Sequence, residues 1–163
     1  METGVIQKRE GGEFFADCTV ETDKPAMIPD SYIDITAEKI RIYKQLDSMR
    51  SDKEIDIFAA QMNDRFGKMP EELSNLFEVV KIRNAGSRLG FEKVIIKNGL
   101  FIAFFISNQM SPYFRSDVFT RIIERINSGK YKLDLKQSEG KLKIVTRNVD
   151  TLEKARGILS FLE

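Results

Sequence analysis

The chain has 163 residues, with 26 Lys and Arg against 25 Asp and Glu, no histidine, and Cys18 as its one cysteine. That length suits a domain able to bury a sizeable core unaided, while the missing histidine removes the usual general base and every His-ligated metal site. A single cysteine excludes an intramolecular disulfide and fits a reducing compartment, and the charge is uneven, net −7 over residues 1–80 and +8 over residues 81–163.

Residues 1–12 are polar and glycine-punctuated and read as a lead-in without periodicity, followed by one edge strand over Phe14–Thr22. Pro25 and Pro29 then enclose an extended connector, because proline and the residue before it disfavour helix, and the connector is expected to run over a surface. From Asp34 the period becomes helical, with Ile35, Ile42, Leu46 and Met49 on one stripe and Asp34 or Thr36 available as the N-cap. A second helix starts with the Ser51/Glu54 capping box, carries Ile55, Phe58, Met62 and Phe66 on its apolar stripe, and stops at Gly67. Pro70 opens a third helix that reaches Leu89, with Gly90 as its end.

The second half reads as strand, turn, strand, helix, repeated. Lys93–Lys97 and Leu100–Ile106 flank Asn98-Gly99, the dipeptide a type I′ hairpin prefers because both central residues need positive φ. A helix over Ser116–Asn127 stops at Gly129, strands at Tyr131–Lys136 and Lys141–Thr146 flank Glu139-Gly140, and Asp150 or Thr151 caps a last helix. The run FIAFFI does not alternate, which places that strand in the sheet centre with helices on both faces. The expected fold class is α+β: N-terminal helices followed by ββαββα, a mainly antiparallel sheet covered by helices. Residues 1–33 are expected to form the lead-in strand and connector, and 34–163 a single globular domain.

Little here points to catalysis. No GxxxxGK[ST] string occurs, and the carboxylate pairs fall in first turns of helices, where the helix dipole favours them for stability alone. Nothing calls for a cofactor. The longest apolar run, seven residues from Leu100 to Ile106, is far short of the roughly 20 that span a bilayer, and there is no signal-type N-terminus. The expectation is a soluble, cytoplasmic chain with no membrane partner.

Two surfaces are candidate binding sites. On the second helix, with Ile55 at zero, Asp64, Ile57 and Gln61 fall at about 180°, 200° and 240°, away from the core stripe. Either they form a docking stripe, or another helix of the domain covers Ile57 while Asp64 is merely solvated. On the second hairpin, alternation sets Lys132 and Lys136 on one face with Lys141 and Lys143 nearby. Arg121 and Arg125 on the intervening helix could extend this basic patch toward the phosphates of a nucleic acid, and Tyr131 could offer a stacking surface.

The strings VETDKPAMIPDSYI, RIYKQLDSMRSDKEIDIFAAQMNDRFGKMPEELSNLF and KIRNAGSRLGFEKVII occur in the order found in the C-terminal domain of the bacterial transcription-repair coupling factor family, which the chain resembles over roughly residues 18–163. The most specific piece is Asn63 to Pro70, similar to that family's DRFG-x-x-P. The resemblance implies a noncatalytic fragment of a longer ATP-driven DNA translocase, one that displaces stalled RNA polymerase and recruits UvrA through an N-terminal UvrB-like module. It further implies that this domain docks on the UvrB-like module, masks the UvrA-binding surface and restrains the motor. In that family, acidic residues of the DRFG helix face arginines of the module. Asp64 matches one of them, whereas Gln61 stands where a second acidic residue is common. A glutamine there still hydrogen-bonds an arginine but loses the charge assistance, which is roughly half the strength of such a bond. Arg65, Phe66, Gly67 and Pro70 share the motif but have structural explanations as core, helix stop and helix start.

Overall fold

The computed structural model describes the backbone of residues 6–8 and 14–16 and residues 17–163 in full. The chain divides into two compact units, residues 24–81 and residues up to 23 together with 82–163. The boundary expected at 33/34 is therefore not the one the contacts draw. The reason is that the connector joins the helical core and does not run over a surface: Ile28 and Ile33 are 3% and 5% exposed.

The first unit contains α1 (Thr36–Ser48), α2 (Asp52–Phe66) and the first part of α3 (Glu71–Leu89). Ile42, Leu46, Ile55, Phe58, Met62, Leu73 and Phe77 meet Ile28 and Ile33 in one core. The connector is pinned by its backbone. The amide of Ile28 donates to the Tyr43 hydroxyl at 2.9 Å, that of Met27 to the Glu72 carbonyl at 3.1 Å, and Asn75 Nδ2 donates to the Pro25 carbonyl at 2.9 Å. The entry to α1 differs from expectation. Ile35 sits at the cap position without any side-chain cap, so neither Asp34 nor Thr36 serves. Ile35 lies outside the helical period and is 64% exposed, leaving Ile42 and Leu46 as the buried stripe.

The second unit is built on a five-stranded sheet ordered β3-β4-β5-β7-β6, where β3 is Thr19–Thr22, β4 Phe91–Lys97, β5 Leu100–Phe105, β6 Asp134–Ser138 and β7 Lys141–Thr146. The strand expected over Phe14–Thr22 is broken. Its first part, β2 (Phe14–Ala16), pairs antiparallel with β1 (Ile6–Lys8), whereas β3 pairs parallel with β4. Every other pairing in the large sheet is antiparallel, and both tight turns have positive φ at both central residues, Asn98-Gly99 and Glu139-Gly140. At Asn98-Gly99 this is the geometry the dipeptide predicts, while Glu139 adopts φ +52° without being a residue that favours it.

Strand β5 is central, as expected, but its burial alternates. Phe101, Ala103 and Phe105 are fully buried while Leu100, Ile102 and Phe104 are only half-buried, so the two faces of the sheet are not equally covered. On the covered face, α4 (Asp117–Asn127) brings Phe119 to 5.4 Å from the Phe105 ring, and α5 (Leu152–Leu162) contributes five buried residues. The Cys18 thiol lies against Gly86 of α3, and burial pushes its pKa up to about 12. Among the described residues no helix is long and apolar enough to cross a membrane, and no cluster of three potential metal ligands occurs.

Candidate docking site

Helix α2 is fixed at both ends by short-range chemistry. Ser51 Oγ accepts from the Glu54 amide at 3.2 Å and donates to Glu54 Oε1 at 3.1 Å, which satisfies an otherwise orphaned first-turn donor. At the other end Gly67 adopts φ +92°, and its amide closes on the Asn63 carbonyl at 3.0 Å. Asn63 Oδ1 then accepts from the Met69 amide at 3.0 Å, and the Tyr32 hydroxyl donates to the Gly67 carbonyl at 2.6 Å. The chain leaving α2 is thus tied down on two sides, and the last turn of the helix, which carries Asp64, has a defined orientation.

Ile55, Phe58 and Met62 are buried on one stripe of α2. Ile57, Gln61 and Asp64 all lie on the exposed side, Ile57 with half of its surface open. Among the described residues no helix buries Ile57. Beyond Asp52 in its first turn, the acidic residues of α2 are distinguished by their partners. Glu54 belongs to the cap, and Asp56 binds Lys81 at 2.6 Å, but Asp64 makes no ion pair or side-chain hydrogen bond among the described residues. An exposed carboxylate and a half-exposed isoleucine two turns apart on one helix side, with an amide between them, form a small polar-rimmed apolar strip of the kind found at interfaces.

Sequence reasoning missed the charge lattice beside this stripe, because it joins two helices and only their packing brings it together. Glu38 of α1 pairs with Arg41 and, at 3.2 Å, with Arg65 of α2. The Arg41 hydrogen bond and charge, helped by Arg65, hold the Glu38 carboxyl below the usual carboxylate range. Arg41, Gln45, Gln61 and Arg65 rim a shallow groove floored by Phe58 and Met62. Arg65 also lies 4.8 Å from the Phe66 ring centre, so its role is to bind α2 to α1, in line with the structural explanation of that motif position.

The basic residues are not gathered into one patch. Strand β6 starts at Asp134, later than expected, because the Leu133 amide bonds the Tyr131 carbonyl in a tight turn and Tyr131 packs on Phe161 at 5.1 Å. Lys132 therefore precedes the ladder, and the Tyr131 ring is already engaged with Phe161 and Lys130. Lys136 stands directly opposite Lys143, with Lys141 opposite Ser138 on the same face. Arg121 and Arg125 are exposed on α4, which covers the other face of the sheet through Phe119 and Phe105. The lysines and arginines are separated by the thickness of the sheet.

The family model of the TRCF domain matches residues 22–115. The chain is 30% identical over 132 residues to a transcription-repair-coupling factor of Rickettsia conorii (strain ATCC VR-613 / Malish 7), covering 80% of this chain and 11% of that protein. It is 35% identical over 81 residues to the factor of Rickettsia prowazekii (strain Madrid E), which is 50% of this chain and 7% of that one. With the factor of Escherichia coli (strain K12) the identity is 27% over 94 residues, 57% of this chain and 8% of the relative. The chain thus spans about a tenth or less of the length of these relatives. Its fold is that of a crystal structure of the C-terminal domain of transcription-repair coupling factor, with a TM-score of 0.74 at 18% identity over 90% of this chain and 91% of the other.

Proposed function

The chain belongs to the TRCF domain family, and from that premise we propose that it is a noncatalytic docking and regulatory domain whose contact surface is the outward face of α2. The observation that carries this reading is the unpaired, exposed Asp64 carboxylate beside Gln61 and the half-exposed Ile57, held in place by the fixed C-terminus of the helix. An isolated charged group on a rigid element adds nothing to the stability of its own domain. It gains energy when a partner presents a cation.

In a longer coupling factor the partner is the UvrB-like N-terminal module, with an arginine opposite Asp64. Docking then masks the surface that recruits UvrA. The mechanism is control of populations: contacts made only in the closed arrangement favour it by their differential free energy, and engagement of RNA polymerase or DNA by the whole protein must supply at least that much to open it. Removing one partner of a desolvated charge pair costs about 2–5 kcal/mol. The open state then gains more than about an order of magnitude in weight.

The test is binding of this chain to the separately expressed UvrB-like module, with Asp64→Arg and the double variant Lys141→Ala/Lys143→Ala alongside. Saturable binding that Asp64→Arg abolishes and the lysine variant retains is the expected result. Equal loss in both variants, or full binding by Asp64→Arg, places the contact elsewhere.

A further inference from the structure

We propose that the half-covered face of the five-stranded sheet binds single-stranded nucleic acid, with Phe104 as the stacking platform and Lys136, Lys141 and Lys143 as the phosphate contacts. The strand register puts Lys93, Phe104, Lys143 and Lys136 in one row across β4, β5, β7 and β6. Three interstrand gaps make that row roughly 14 Å long. The next row on the same face is apolar in its middle, Ile95, Ile102 and Val145, and ends in Glu21 of β3 and Asp134 of β6.

Two features of this row are unfavourable for the domain by itself. Lys136 and Lys143 face each other directly, and like charges in opposite positions destabilise a strand pair. Among the described residues neither has a carboxylate partner, whereas Lys93 and Lys97 share Glu21 at 3.1 and 3.6 Å, and Lys141 lies 3.9 Å from Glu92. The excess positive charge is confined to the β6–β7 end of the face. Phe104 is the second feature: an aromatic ring left only half-buried in mid-sheet, with the Lys143 and Lys141 ammonium groups 5.7 and 6.0 Å from its centre.

A single strand resolves both. Its phosphates take the ammonium groups, its bases have a π-face for the ring, and stacking and backbone charge are the two terms that single-strand binding combines. The apolar row beneath Phe104 accepts unpaired bases, whereas a duplex would lay its hydrated backbone there. An acidic peptide is matched less well, because carboxylates favour the bidentate fork of arginine, whereas the cations in this row are lysines and Glu21 and Asp134 close the next row. Arg121 and Arg125, on the opposite face, take no part. This surface is built from other elements than α2, so the proposal stands or falls independently of the docking reading.

The experiment is fluorescence anisotropy of a labelled twelve-nucleotide oligothymidylate titrated with the 163-residue chain at several salt concentrations. Lys136→Ala/Lys143→Ala is expected to weaken binding at least tenfold and to lower the logarithmic salt slope by about 1.4, two single-strand phosphate contacts. Phe104→Leu is expected to weaken it roughly fivefold or more with the slope unchanged, and Arg121→Ala/Arg125→Ala to have no effect. Because Phe104 is partly packed, amide chemical shifts of the unmodified chain give a readout free of mutation, with perturbations expected in β5, β6 and β7 and not in α4. Absence of binding at about 100 μM, a duplex bound as tightly as the single strand, competition by polyglutamate as effective as by polyuridylate, or shifts centred on α4 would each overturn the proposal.

Discussion

Gly90, between α3 and β4, has φ +89°, and a Cβ placed on it would lie 2.2 and 2.4 Å from two ring carbons of Tyr113. That ring has no room to retreat. Tyr113 is fully buried, its hydroxyl donates to the Leu89 carbonyl, and Phe114, Phe119 and Phe105 stand 5.2, 5.6 and 6.3 Å from it. Burial also raises the phenol pKa, so the hydroxyl stays protonated as a donor throughout the accessible range. Gly90→Ala therefore incurs a left-handed backbone cost of about 1–2 kcal/mol and an overpacking cost of about 1–3 kcal/mol. Together they amount to about 2–5 kcal/mol, against a total stability of about 5–15 kcal/mol for a typical domain.

Urea denaturation followed by circular dichroism measures the loss, and Tyr113→Leu supplies the second arm of a double-mutant cycle. With the ring gone, Gly90→Ala is expected to cost only the backbone part, so the two substitutions couple by about 1–3 kcal/mol. A cost for Gly90→Ala below about 1 kcal/mol, or an equal cost with and without the ring, would refute the reasoning.

Other substitutions probe the remaining links. Ser51→Ala removes the cap acceptor for the Glu54 amide and is expected to cost about 1 kcal/mol in the same denaturation assay. The hydrogen bond from Lys93, with the charges of Lys93 and Lys97, holds the Glu21 carboxyl below the usual 4.5. A carboxylate whose folded pKa is depressed contributes stability above its unfolded pKa and loses it as pH falls through the folded value. A carboxyl-carbon NMR titration is therefore expected to find Glu21 titrating below 4.5 and Lys93→Met returning it toward that value. Gln61→Glu is expected to tighten binding to the UvrB-like module by a few-fold or more, since it restores a charge-assisted bond to an arginine. Unchanged or weaker affinity by calorimetry would mean that no cation faces this position.

How much was legible in the sequence depends on the range of the interaction behind each feature. Ser51 with Glu54, Gly67 after Phe66, and Asn98-Gly99 are local instructions, complete within a few residues, and the structure follows them. The outward placement of Asp64, Gln61 and Ile57 was readable for the same reason, since helical periodicity alone sets the side opposite Ile55 and Phe58. Periodicity was silent wherever the chain left regular structure. Ile35, one residue before α1, does not share its stripe, and Ile28 and Ile33 enter the core from a proline-bounded segment without any period.

The basic residues show the limit from the other side. Alternation ordered the lysines along each strand, but it could not say that Lys136 would face Lys143 or that Phe104 would stand in their row, because register between strands is set by turns and by the pairing of distant segments. Nor could helical spacing say on which face of the sheet α4 would lie, a matter decided by Phe119 reaching Phe105. The helices, the turns and the exposed stripe of α2 were written in the chain locally, each a product of backbone preference and side-chain period. The parallel run of β3 beside β4, the link from Arg41 through Glu38 to Arg65, and the placing of lysines and arginines on opposite faces of one sheet came from packing alone. These depend on burying apolar surface between segments far apart in the chain, which no local window contains.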